Sequence, residues 1–212
     1  MKRSSTISDK DKWAKIPSDE VLEKTVHSLG ENGMDAIVVE NSEEAKNKVL
    51  EILPKGAEVM TMTSRTLETI GVLPEINESG NYDSVRNKLN SMKRDTQGRE
   101  MQRLGAAPEW VMGSVHAVTQ DGKVLIASNT GSQLPAYVYG SDHVIWVVGA
   151  QKIVKDLDEA WKRLYEHVLP LESERLKKVY GVPSNVSKVL IVQKEIKPGR
   201  ITLIFVREAI GF

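Results

Sequence analysis

Two short polar segments carry residue types that can hold an anion. Thr61-Met-Thr-Ser-Arg-Thr66 sets hydroxyls and an arginine just before a helical stretch, which makes Thr63, Ser64, Arg65 and Thr66 candidate ligand-binding residues. Hydroxyls, a guanidinium and the free N–H groups of a helix start suit a carboxylate or phosphate. The plainer reading is an N-cap, the usual role of Ser and Thr there, and taken alone it is favoured. The second segment, Ser128, Asn129, Thr130, Gly131, Ser132 and Gln133, follows an apolar run and offers small polar side chains and backbone N–H groups. Six such residues in a row balance ligand binding against a capped loop. His116 lies on an arm near this loop and is the candidate catalytic acid or base, its ordinary pKa being closest to neutrality. A structural role is its alternative; His27 and His167 on amphipathic helices read as surface or boundary residues, and His143 at the head of a buried strand as making a structural hydrogen bond.

Much chemistry is excluded by composition and motif. The chain has no cysteine, so it holds no disulfide, zinc–thiolate site or iron–sulfur cluster of its own. No GxxxxGK[ST], GxGxxG, HExxH, EF-hand loop or GxSxG occurs, which leaves the cofactor unknown and no metal site expected. Lys+Arg and Asp+Glu both total 29, without the basic surplus that a nucleic-acid or anionic-membrane binder needs. The first residues are polar and the longest apolar run, Val144 to Val148, is too short to span a bilayer, so a cytoplasmic protein is expected.

The elements that must position these residues read as an α/β series within 212 residues. Ser18 is placed to N-cap a helix with Val21, Leu22, Val26 and Leu29 on one face, ended by Gly30 and Gly33. Asp35–Glu40 reads as a buried strand, Ser42 opens a helix stopped by Pro54-Lys-Gly56, and Ala57–Met62 is a strand leading into LETIGVL. Strand and helix in alternation imply a parallel sheet with crossover helices. Asn81–Val85 is a further strand, and Arg86–Leu104 a charged helix broken near Gly98, with Lys93, Arg94, Asp95, Arg99, Glu100 and Arg103 as a solvated face from which Arg94 could reach a ligand. Trp110–Gly113 is a strand. Val115–Thr119 and Lys123–Ala127 flank Gln120-Asp-Gly122 as a hairpin, which would make the sheet mixed. His143–Val148 has the unbroken apolarity of a strand covered on both faces. Asp156, with Glu159 three residues on, opens a helix carrying Leu157, Trp161, Leu164 and Val168 as far as Pro170. Lys188–Gln193 and Ile201–Val206 read as a second hairpin around Lys197-Pro-Gly199, and Tyr180–Ser187 as an exposed loop.

The stretch GSVHAVTQDGKVLIASNTGSQLPAYVYGSDHVIWVVGAQKIVKDLDEAW, with EHVLPLESERLKKVYG and PGRITLIFVREAIGF, resembles the LUD-domain family, the lactate-utilisation group; weaker similarity reaches back to TSRTLETIGVL. The resemblance implies an α/β fold, three-layer α/β/α with a mostly parallel mixed sheet, like that of ribose-5-phosphate isomerase, glucosamine-6-phosphate deaminase and CoA transferases. It divides the chain into an N-terminal helical extension, residues 1–34, and a LUD-type domain, residues 35–212. It further implies a connection with L-lactate oxidation, in which some members are subunits of an iron–sulfur complex. Leu171–Ser187 has none of the cysteines other members carry nearby, so electron transfer would come from an iron–sulfur partner subunit.

Three functions follow as expectations. The first is binding of a small anionic metabolite as a non-redox subunit or accessory of lactate utilisation, the two polar loops and His116 forming one site. The second, by fold analogy, is isomerase or acyl/CoA-transfer chemistry. CoA transferases use a glutamate nucleophile, and residues 128–133 contain no acid; where relatives have glycines in the first joint, this chain has Thr61-Met-Thr-Ser64. The third is an interaction scaffold without a ligand, the apolar C-terminal stretch ending Ala209-Ile-Gly-Phe212 serving self-association as a homodimer.

Overall fold

The structure is a computed structural model and describes residues 12–212. Six parallel strands form its central sheet: β1 (Asp35–Val39), β2 (Glu58–Thr61), β3 (Asp83–Ser84), β4 (Trp110–Gly113), β7 (His143–Gly149) and β10 (Ile201–Val206), in the order β1-β10-β7-β4-β2-β3. Successive side chains of a strand face opposite ways. Val144, Trp146 and Val148 therefore join one core with Leu203 and Phe205, while Ile145 and Val147 join the other with Ile204 and Val206. The second core is covered by α2 (Ser42–Ile52), α3 (Arg65–Thr69) and α4 (Leu73–Asn77). The first takes in Leu22 and Leu29 of α1 (Asp19–Glu31) and Val85 of α5 (Val85–Ser91). The fold is thus α/β, a parallel central sheet with helices on both faces.

The two expected hairpins fare differently. β5 (Ala117–Thr119) and β6 (Val124–Ser128) pair antiparallel, but they belong to a separate four-stranded sheet, order β8-β5-β6-β9, with β8 (Ile153–Val154) and β9 (Lys188–Val192). The central sheet is consequently all parallel rather than mixed. The expected C-terminal hairpin does not form, because β9 pairs with β6 and β10 lies between β1 and β7. β10 is apolar on both faces and suits a central parallel strand, whereas β9 is only half-buried. The linker between them is pinned by Arg200, which pairs with Glu195 at 2.8 Å and donates to the carbonyls of Ser141 and Tyr137. In the C-terminal stretch Ile210 is buried in the second core, Ala209 is exposed and Phe212 is half-buried.

Helix boundaries show smaller departures. Ser18 stands at the N-cap of α1 without a side-chain capping bond, and β1 is half-buried at the sheet edge. The charged helix breaks at Met92 and Lys93, not at Gly98, giving α5 and α6 (Arg94–Ala106). Asp156 caps α7 (Leu157–Arg163) as expected, its carboxylate accepting from the Glu159 N–H at 3.0 Å. The helix does not stop at Pro170, however. A π turn over Leu164–Val168 bonds the Leu169 N–H to the Leu164 carbonyl, and α8 (Leu169–Tyr180) runs on through the proline. The widened turn absorbs the N–H that Pro170 lacks, which would otherwise break the ladder. α7 and the π turn cover the small sheet's outer face with Ala160, Leu164 and Val168.

Candidate functional site

In an open parallel sheet, ligands collect beyond the carboxyl ends of the strands. Three adjacent strands here deliver polar residues to that edge. β2 leads into Thr63–Thr66, β4 into Ser114 and β7 into a short turn ending at Lys152. They open onto a cavity of about 1110 Å³. Around it lie Thr63, Ser64, Arg65 and Thr66 from the first joint, Ser128, Asn129, Thr130, Ser132 and Gln133 from the second, and His116. Gly131, at φ +85°, does not line it; a Cβ there would lie 2.5 Å from Lys188 Cδ.

Lys152 is 1% exposed at the cavity floor and was not singled out by sequence. Its Nζ lies 3.0 Å from Thr66 Oγ1, 3.0 Å from Ser114 Oγ and 3.2 Å from the Val115 carbonyl oxygen. All three partners are neutral, and no carboxylate pairs with Lys152 among the described residues. Burial, aided by the Arg163 guanidinium, holds the amine well below its ordinary range. Arg163 is itself fully buried; its Nη1 donates to the His116 carbonyl at 2.5 Å, while Nε and Nη2 have no partner among the described residues. In the sequence Lys152 shows only as a lysine three residues beyond the apolar run ending Val-Val-Gly149, with nothing local to mark its burial.

His116 has a more restricted role than general base. Its Nδ1 accepts the Ala127 N–H at 3.0 Å, which leaves Nε2 as the protonated nitrogen. Burial, with Lys152 and Arg163 nearby, drops its pKa to about 3, so at neutral pH the ring is uncharged and acts as a donor. His143 stacks on Trp110 at 4.0 Å and His27 pairs with Glu31 on the surface.

The polar loops are partly self-satisfied. Ser64 Oγ caps α3 by accepting the Leu67 N–H at 3.3 Å, and Arg65 pairs with Glu68. Ser128 Oγ accepts the Gly131 N–H at 2.8 Å and donates to Gln133 Oε1 at 2.9 Å. Asn129 accepts from Ser187 at 3.3 Å.

The charged face of α6 is not merely solvated. Arg94, Arg99 and Arg103 line the cavity with Arg65, Arg86, Lys152 and Arg175, giving seven basic side chains against two acidic ones, Glu68 and Glu172. Both acids are already paired, with Arg65 and Arg175 respectively. Arg86 donates to the Thr61 carbonyl from Nε at 3.0 Å and Nη2 at 2.5 Å. Arg94 and Arg103 have no hydrogen-bonding or ionic partner among the described residues. A chain of zero formal charge thus concentrates positive potential in one concavity, which draws anions.

Close packing fixes the wall beside β4. A Cβ on Gly113 would lie 1.8 Å from the hydroxyl oxygen of buried Tyr137, whose ring packs edge-on against Trp146 at 5.4 Å. Gly113→Ala is therefore expected to destabilise the protein by about 1–3 kcal/mol, the usual cost of overpacking. Urea denaturation of the two proteins measures the difference; an unchanged midpoint would show that Tyr137 can move aside.

Among the described residues, no helix is long and apolar enough to cross a membrane, and no group of three or more His, Asp or Glu could hold a metal ion. Fold and cavity together define an α/β protein with a parallel sheet and a cationic pocket at its carboxyl edge. A family model described as the LUD domain matches residues 22–206, and the chain belongs to that family. The crystal structure of a DUF162 family protein from Deinococcus radiodurans is similar in fold, with a TM-score of 0.56 and 13% identity over 90% of this chain and 99% of that one. Among curated proteins none matches the chain.

Proposed function

We propose that this LUD-domain protein binds a small anionic metabolite in the cavity, and that it serves lactate utilisation as a non-redox subunit or accessory to iron–sulfur partners. The observation that carries the binding is the imbalance of seven basic to two acidic side chains around one concavity, both acids being paired within it. A ligand carboxylate or phosphate supplies the missing negative charge, with guanidinium and hydroxyl donors to receive it. Having no cysteine, the chain leaves electron transfer to a partner.

The test is a thermal-shift panel of L-lactate, pyruvate, inorganic phosphate, sugar phosphates and CoA. A ligand at a hundred times its Kd stabilises by about 2.7 kcal/mol, or roughly 5–11 °C in a chain of this size. Arg65→Ala and Asn129→Ala are each expected to weaken the responding anion by about tenfold, near 1.4 kcal/mol. A flat panel, or an affinity unchanged in both variants, rejects the shared site.

A further inference from the structure

Lys152 is more than a counter-charge. A lysine that only balances an anion works best protonated and partly hydrated, yet this one lies 1% exposed in the turn just beyond β7, within the lining of the cationic cavity. Its three partners are a threonine hydroxyl, a serine hydroxyl and a backbone carbonyl. None of these stabilises a positive charge as a carboxylate would. Arg163, buried close by and likewise without a carboxylate, opposes a second charge. The two hydroxyls come from separate joints, Thr66 after β2 and Ser114 after β4, so the fold converges three strand ends on one amine. A desolvated, uncharged lysine beside another cation is the arrangement that makes an amine nucleophilic toward carbonyl carbon.

We propose that Lys152 forms a reversible imine with a small carbonyl compound bearing a carboxylate or phosphate, the anionic group held by the arginines of the cavity. This rests on the anion-binding reading above. The Nζ lone pair attacks the carbonyl carbon, and the carbonyl π pair moves to oxygen, which takes one N–H proton to give a carbinolamine. The second N–H proton and the carbinolamine hydroxyl then leave as water while the nitrogen pair closes the C=N bond. No oxidant, reductant or co-reactant enters. Thr66 and Ser114, both at hydrogen-bond distance from Nζ, relay the protons. His116, on the same lining and uncharged at neutral pH, donates to the bound anion instead of accepting a proton.

Borohydride trapping tests this. The protein is incubated at neutral pH with pyruvate or with dihydroxyacetone phosphate, reduced, digested and mapped by mass spectrometry. The expected result is a reduced adduct on Lys152, formed in large excess over any exposed lysine, and absent from Lys152→Met. Mapping the wild-type protein keeps the test decisive even if that variant folds poorly. An adduct with neither probe, or adducts spread over exposed lysines only, overturns the proposal. L-lactate and inorganic phosphate separate the two readings, because they are anions that cannot form an imine. Stabilisation by either of them without a Lys152 adduct overturns the imine and leaves anion binding standing; no stabilisation and no adduct overturns both.

Discussion

Acidification below pH 6.5 is expected to weaken the fold steeply, and His116→Asn to flatten that loss. The folded protein holds His116 at about 3, against 6.5 for a free imidazole, chiefly through burial, with Lys152 and Arg163 close by. In the unfolded chain the ring takes a proton as pH drops through 6.5, while in the folded chain it does not until about 3. The stability it contributes is thus fully present above 6.5 and is lost as pH falls toward 3, at up to about 1.4 kcal/mol per pH unit. His167 acts in the same direction, its pKa lowered to about 4 by burial, Arg163 and Lys152. Solvent reaches His167, so its share is smaller. Asparagine at 116 keeps an acceptor for the Ala127 N–H without a titrating ring. Urea midpoints followed from neutrality down to about pH 4 should separate the variant from the parent; parallel curves would mean that His116 protonates freely in the folded state.

Lys152→Met should give a pH signature of the same sign in a more alkaline window. Burial beside Arg163 holds the folded amine below its ordinary 10.5, while the unfolded chain stays protonated up to that value. Wherever the folded amine is neutral and the unfolded one charged, folding releases a proton, and the stability of the parent rises with pH until the unfolded amine also deprotonates. Methionine has nothing to titrate. Relative to the parent, the variant should be most favoured near neutrality, its advantage shrinking by about 1.4 kcal/mol for each pH unit over which the folded amine is neutral and the unfolded one charged. The lost hydrogen bonds to Thr66, Ser114 and Val115 shift the whole curve without changing its slope. Denaturation of both proteins from neutrality to about pH 10 decides it, because identical slopes would mean a charged Lys152 in the folded protein and no free amine for carbonyl attack.

Such a residue is a cost that the rest of the fold offsets. An amine desolvated without a counterion is destabilising by itself. Around it the two apolar cores on either face of the central sheet supply the compensating burial, with Trp146, Leu203, Ile204 and Phe205 all wholly inside. Rigid strands then fix where Thr66, Ser114 and Lys152 emerge, which holds the three side chains in register without a long mobile loop.

What the sequence determined by itself was local. The β7 strand was legible from its unbroken apolarity, the α7 start from Asp156 and Glu159, and the β5–β6 turn from Asp121-Gly122. Each depends on residues a few positions apart, where sterics, capping and turn geometry act directly. Both polar joints were recognisable for the same reason, but their place on one cavity was not, because the first follows β2 of the central sheet and the second β6 of the small sheet. The partners of β9 and β10 were not legible, because two apolar runs joined by Pro-Gly look alike whether they pair with each other or with strands laid down far earlier. Nor was Lys152. Its contacts with Thr66 and Ser114 span 86 and 38 residues, and only closure of the sheet turns three ordinary side chains into one buried cluster. The α6 arginines read as a solvated face because mixed charge on a helix says nothing about what stands opposite. The tertiary structure decided that it was the wall of a cationic cavity.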